Sequence, residues 1–378
     1  MNIEILSEIK DIDPLAWNAL VEDSNPFLSH AFLHALEAHD CASSKFGWQP
    51  CHLAVYQNET LVGAMPMYLK TNTYGEFVFD VAWQRFYQQH GVAYFPKLVS
   101  SVPYTPVTGQ RLLSAKGMEE KIYPLLLEAV KAFAEKVQAS GWHGLFLNTK
   151  QHDLVLKQNC MARYDCQYHW HNNSYSTFED FLATLKHKKR KNIRQERRAV
   201  ENQQISFRVL SGHTATEKDW HDFSLFYQCT FEKKRGMATL NEDFFKEIAR
   251  EIPEQIVLIL ADKNEVCIAG ALCYKSETAL YGRHWGCLEE VAFLHFEACY
   301  YQGIEYCIQH GLKVFEPGAQ GEYKIARGFV PVHTQSGHWL RDERFVPAIK
   351  DFSQREQAGV LNYINNLAEQ TVYKEKDA

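Results

Sequence analysis

The chain has 378 residues, a formal net charge of -6 and a pI near 6.3, with 46% hydrophobic and 23% charged residues. That length suggests two globular domains with cores large enough to need no disulfide or metal staple. The acidic balance excludes polyanion binding by bulk charge, so any such binding needs a local basic patch.

The opening, MNIEILSEIKDIDPLAW, has no basic stretch followed by an apolar one, and no apolar run of about 18 residues occurs. Neither a signal peptide nor a membrane span is expected, and the reading is a cytoplasmic chain. The ten cysteines are scattered without a CxxC pair, as in a reducing compartment. Trp17 opens a helical segment. His30 and His34 stand four apart without the glutamate of HExxH, so a packed helix face is preferred to a metal site, and no metal is expected. His52-Leu53-Ala54-Val55-Tyr56, a polar turn over residues 57–60 and the run LVGAMPMYLK from Leu61 read as a hairpin. An aromatic-rich insertion follows over about 74–111; within it Tyr104 and Thr105, near Gly and Pro, suit an acceptor pocket or a packed loop. A long amphipathic helix then ends at Gly141, read as a helix cap, before the buried run WHGLFLN.

A boundary near 165 separates this half from a second. There Phe178, Phe181, Leu182 and Leu185 mark one face of a helix. Eight Lys or Arg residues lie between Lys186 and Arg198 against one acid, Glu196. Lys189, Arg190 and Arg194 within this run suit either a solvated helix face or a phosphate-binding surface. Trp220 opens another helix. Ile256 to Ala261, a turn and VCIAGALCYK from Val266 repeat the hairpin, with Gly63-Ala64 and Gly270-Ala271 placed 207 residues apart. A helix capped by Gly311 and the strand LKVFEPG complete the parallel. The shared order reads as a duplicated, mixed α/β lobe with a partly antiparallel sheet. The domains expected are 1–165, 166–350 and a C-terminal helix and tail, 351–378.

The densest polar constellation runs from Phe315 to Phe329, just past a strand, where α/β folds place ligands. Lys324 or Arg327 suits stabilisation of an oxyanion, and Glu316 or Glu322 removal of a proton. Gly318, Gln320, Gly321 and Tyr323 fill out a binding loop; a loop of mutually paired charges fits the same residues. Arg283, His284 and Trp285 end the strand after the second hairpin, His284 being a further candidate base. No GxGxxG, GxxxxGK[ST], GxSxG or HExxH pattern occurs.

The stretches Asn25 to Glu37, YGEFVFD, TPVTGQRLL, LHFEACYYQGIEY and FEPGAQGEYKIARGF resemble the FemAB-like predicted N-acyltransferases. The resemblance runs from about residue 4 to 350. It implies an α/β fold of tandem duplicated GNAT-like lobes with mixed sheets. It also implies acyl or aminoacyl transfer to an amine, the acceptor being a small molecule or a cell-wall precursor. Tyr323-Lys324 and Gly328-Phe329 match the tyrosine-lysine and glycine-phenylalanine pairs near the C-terminal end of Fem enzymes, which gives Lys324 the oxyanion role. The basic helix resembles the one opening the second Fem lobe. The long helical arm of some Fem enzymes has no counterpart. Residues 286–290 and 117–120 lack the Q/R-x-x-G-x-G/A loop of acetyl-CoA users, which weakens acetyl-CoA as donor. No tightly bound cofactor is expected. The co-substrate stays open between acyl-CoA and aminoacyl-tRNA, tRNA being a partner in the second case. An acyl-CoA-dependent GNAT acting on a small molecule and a non-catalytic binding module are the alternatives.

Overall fold

The computed structural model describes residues 1–374. It is a mixed α/β protein whose chain divides into two compact units. Unit 1 holds Met1–Cys166 and His333–Tyr363; unit 2 holds Gln167–Val332 and the chain from Ile364 onward. The chain was expected to divide again near 350. It instead returns to unit 1 at His333, because Gly337–Leu340 pair with the strand Gly141–Gly144.

Unit 1 contributes β1 (Asn2–Leu6), β2 (Trp48–Pro50), β3 (His52–Gln57), β4 (Thr60–Met65), β5 (Tyr68–Lys70), β6 (Lys97–Ser100), β7 (Leu113–Ser114) and β8 (Gly141–Gly144). Strands β1, β3, β4 and β7 make an antiparallel sheet in that order. Strands β2, β5, β6 and β8 pair in sequence, with β6 and β8 parallel. The helix Glu119–Lys136 buries Ile122, Tyr123, Leu126, Leu127 and Val130 against a core that includes Leu53, Val55, Val62 and Met65. Gly141 does not cap this helix. It sits in β8, where a Cβ would fall 2.2 Å from the carbonyl oxygen of Trp339, and Gln138 takes the left-handed conformation instead (φ 54°).

Strand β9 (Met161–His171) leads into unit 2, which holds β10 (Ile205–Leu210), β11 (Ile256–Lys263), β12 (Val266–Lys275), β13 (Ala279–Cys287) and β14 (Val314–Glu316); β15 (Val330–Leu340) leads back out. Strands β10 to β13 form an antiparallel meander. Strand β14 is parallel to β13 and antiparallel to the end of β9. The helix Glu217–Lys233 starts with a capping box of Thr216 and Asp219 and buries Trp220, Phe223, Phe226 and Tyr227.

The two hairpins match closely, but in a register different from the one the glycines suggest. Both turn on Asn-Glu pairs with positive φ, Asn58-Glu59 and Asn264-Glu265, the geometry of a type I′ turn. Both carry a bulge just beyond the turn that leaves Val62 and Ile268 unmatched. Turn and bulge together align Gly63 with Ala269 and Ala64 with Gly270. The glycines therefore occupy opposite faces, since side chains alternate along a strand. A Cβ on Gly63 would meet Ile122 at 2.4 Å, whereas one on Gly270 would meet Leu260 at 2.9 Å and Phe223 at 3.0 Å.

Candidate functional site

Strands β13 and β14 pair only over Ala279–Tyr281 and Val314–Glu316. Pro317, with no N–H to donate, follows β14 and pairing stops. The chains part there, and a cavity of about 200 Å³ opens between them. Its walls come from β12 (Ala271 to Cys273), β13 (Gly282 to Trp285), the loop Pro317 to Gln320, and Tyr323 and Lys324. His295, Cys299 and Tyr300 close it from a helix. A bulge supplies the Arg283 wall: Leu272 pairs with His284 and Cys273 with Gly282, so Arg283 has no partner residue on β12. Bulges re-aim side chains in this way. The closing helix runs from Leu294 to Gln309 with a π turn at Glu297–Tyr301, a local widening often found at functional sites.

Lys324 is 2% exposed, and its Nζ donates to the carbonyl of Gly318 at 2.7 Å. It has no carboxylate partner among the described residues. Burial, and then the neighbouring Arg283, lower its pKa to about 7. Burial pushes the Glu316 carboxyl up to about 8 against the opposing pull of Arg283. One Glu316 oxygen, Oε2, has no hydrogen-bond partner, and His169 Nε2 lies 3.8 Å from it. His284 packs edge-on to Tyr227 and Phe245, and burial lowers its pKa to about 3. His295 is lowered by burial to about 4. Both imidazoles are therefore neutral at physiological pH, and the charge on the cavity wall is set by Lys324 and Arg283.

Of the residues singled out from sequence, Lys324, His284, Gly318, Gln320, Tyr323, Arg283 and Trp285 line this cavity. Glu316 is not among the lining residues; it directly precedes Pro317, which is. The others lie elsewhere. Glu322 is exposed at the start of the short helix Glu322–Arg327. Gly321 precedes that helix with φ 113°. Arg327 is buried and committed: it donates to Glu196 at 2.8 Å and to the carbonyl of Tyr323 at 2.8 Å, and its guanidinium lies 3.4 Å from the Phe296 ring centre. Lys189 and Arg190 belong to the helix His187–Glu201, outside the cavity, and Arg194 on that helix is paired with Glu179. Tyr104 and Thr105 are buried in unit 1. Tyr104 donates to the carbonyl of Cys41 at 2.9 Å and packs against Trp48 and Tyr74, as a packed loop does.

Sequence reasoning missed His295, Cys299 and Tyr300, on a helix whose period a π turn changes, and His169, which β9 brings in from far along the chain. It also missed a second polar cluster, in unit 1. There Lys97 is fully buried and binds both Glu76, at 2.7 Å, and Asp80, while Tyr94 donates to Asp80 at 2.5 Å. Burial works against the charge on Lys97, but the two carboxylates outweigh it and raise its pKa. No group of three or more His, Cys, Asp or Glu among the described residues is arranged to hold a metal. No helix among them is long and apolar enough to cross a membrane.

The model of the FemAB-like family, described as peptidoglycan biosynthesis/recognition, matches residues 8–375. The structure of FemX superposes with a TM-score of 0.55 at 10% identity, covering 93% of this chain and 100% of that one. A conserved protein of unknown function from Bacteroides thetaiotaomicron gives 0.54 at 9% identity, covering 90% and 100%. L-PGS from Bacillus licheniformis gives 0.51 at 11%, covering 86% and 96%. At these identities the likeness establishes a shared fold. No curated protein matches the chain by sequence.

Proposed function

The chain belongs to the FemAB-like family of peptidoglycan biosynthesis/recognition, and from that premise we propose that unit 2 transfers an acyl or aminoacyl group to an amine, with a cell-wall precursor as acceptor. The observation that carries this reading is Lys324. It is a buried lysine without a carboxylate partner, set in a cleft that Arg283 also lines. Such a group is free to meet negative charge that appears during a reaction.

The acceptor nitrogen attacks the carbonyl carbon of the activated acyl group, and the C=O electron pair moves onto oxygen. Protonated Lys324 donates to that oxyanion, a contribution typically worth ~3–4 kcal/mol. Glu316, as carboxylate, takes the proton that the nitrogen loses. When the intermediate collapses, the bond from the acyl carbon to the carrier oxygen breaks, and Glu316 returns the proton to the departing oxygen. Glu316 has this role rather than Glu322, which is exposed, or His284, which burial leaves a weak base.

The basic helix supports a donor borne on a phosphodiester chain, aminoacyl-tRNA, over a small acyl-CoA. Lys188, Lys189, Arg190 and Lys191 crowd the positive end of the helix dipole, an unfavourable placement that a polyanion relieves. None of the four has a carboxylate partner among the described residues.

A donor screen tests the reading. Charged tRNA, uncharged tRNA and acyl-CoAs of several chain lengths are compared by thermal shift, since a ligand that binds only the folded state raises its stability. Mass spectrometry then follows an amine-bearing cell-wall precursor. Stabilisation by tRNA and an acylated precursor are expected. Stabilisation by acyl-CoA alone reassigns the donor, and an unmodified acceptor with every donor overturns transfer.

A further inference from the structure

Lys324 rides on a short element, Glu322–Arg327, with a positive-φ glycine at each end: Gly321 (φ 113°) and Gly328 (φ 91°). Glycine permits many backbone conformations, so the two flanks restrain this element less than residues with side chains would. Its one deeply anchored side chain besides Lys324 is Arg327, 6% exposed. Arg327 reaches Glu196 on the helix His187–Glu201 at 2.8 Å, and the other Glu196 oxygen accepts from the Tyr301 hydroxyl. The next residue, Arg197, forks between Glu297, at 2.9 Å, and Glu305, also at 2.9 Å. Glu297 opens the π turn that presents Cys299 and Tyr300 to the cavity. Two adjacent side chains of one helix therefore clamp two walls of the cleft: Glu196 the wall of Lys324, Arg197 the wall of Cys299.

We propose that Glu196 and Arg327 are positioning residues that hold Lys324 at the cleft, so that the basic helix sets the geometry of the reacting lysine. The inference rests on Lys324 being the working group. Neither residue touches the cavity, and both act through the short helix. Lys324 faces Arg283 from β13, Cys299 and His295 from the closing helix and His169 from β9. Its amine keeps a lowered pKa only while it is held among these groups and away from water.

The test needs no substrate. Competitive labelling of lysine amines across neutral and alkaline pH, read by mass spectrometry, gives the titration of each lysine. Lys70, in unit 1, is the internal control: burial lowers it too to about 7, and it is independent of the clamp. The main variant is the double substitution Glu196→Gln with Arg327→Met, which removes both charges and leaves neither buried alone. Lys324 is expected to titrate at least one unit higher, which at pH 7 cuts its deprotonated fraction from about one half to about one tenth, a roughly fivefold loss of reactivity relative to Lys70. Arg327→Lys, which keeps the charge but cannot fork, should fall between parent and double variant. A folded double variant whose Lys324 still titrates with Lys70 overturns the proposal. Parallel movement of Lys70 and Lys324 also overturns it, because that is general loosening. If Lys324 moves alone while no donor supports transfer, the clamp stands and the transferase reading falls.

Discussion

Lys97 of unit 1 and Lys324 of unit 2 are both buried, and their partners differ. Lys97 in unit 1 meets Glu76 and Asp80, and the pair of carboxylates raises its pKa. Lys324 in unit 2 meets a peptide carbonyl and the like charge of Arg283, and its pKa falls to about 7. Desolvation alone disfavours the charge in both. The partner decides whether a buried lysine keeps its charge or has it disfavoured.

The largest expected effect breaks the Lys97 cluster. Lys97→Met strands Glu76 and Asp80 without their cation, and removing one partner of a buried pair typically costs ~3–5 kcal/mol. Chemical unfolding should show the loss in its midpoint, and an unchanged midpoint would mean the cluster is already neutral. Lys324→Met strands no carboxylate, so the folded state should hold while turnover falls by about 10²–10³. Initial rates on the variant check this, and unaltered turnover removes Lys324 from the mechanism.

The acidity of the two cleft groups sharpens the comparison further. In the parent, kcat/KM is expected to pass through a maximum between the Lys324 value of about 7 and the Glu316 value of about 8. In Lys324→Met only Glu316 remains. The residual activity should then rise with pH and level off above about 8, because a base works only when ionised. A residual rate that falls through the same pH would make Glu316 an acid. In the stability of the protein Lys324 acts the other way from a salt-bridged lysine. Between about 7 and the ordinary lysine value of 10.5 the unfolded chain holds the proton and the native lysine does not, so this group adds stability as pH rises.

The smallest effect concerns the hairpins. Gly63→Ala drives a methyl onto Ile122 and should cost about 1–3 kcal/mol as overpacking. Ala269→Gly, at the equivalent site of unit 2, should cost only about 0.5–1 kcal/mol, the strand-glycine penalty. Equal effects would contradict the register set by turn and bulge.

Much of the fold was legible in the residues because it is local. Alternating apolar runs around Asn-Glu turns specify both hairpins, helical spacing marks Glu217–Lys233, and the glycine-rich run after β14 marks where the cleft opens. The repeat was visible too, although matching glycine to glycine misplaced it by one residue, since identity of a small residue says nothing about which face it occupies.

The site itself depended on contacts distant in sequence. Arg327 was as good an oxyanion candidate as Lys324 until the fold placed Glu196 against it, 131 residues away. Glu322 and Glu316 were interchangeable until the fold left one exposed and largely covered the other. Composition and spacing determined that this chain builds two α/β lobes with a polar loop at a strand end. Only the tertiary structure decided which charges lost their water and which found a partner, because desolvation and ion pairing are properties of a packed environment rather than of a stretch of chain.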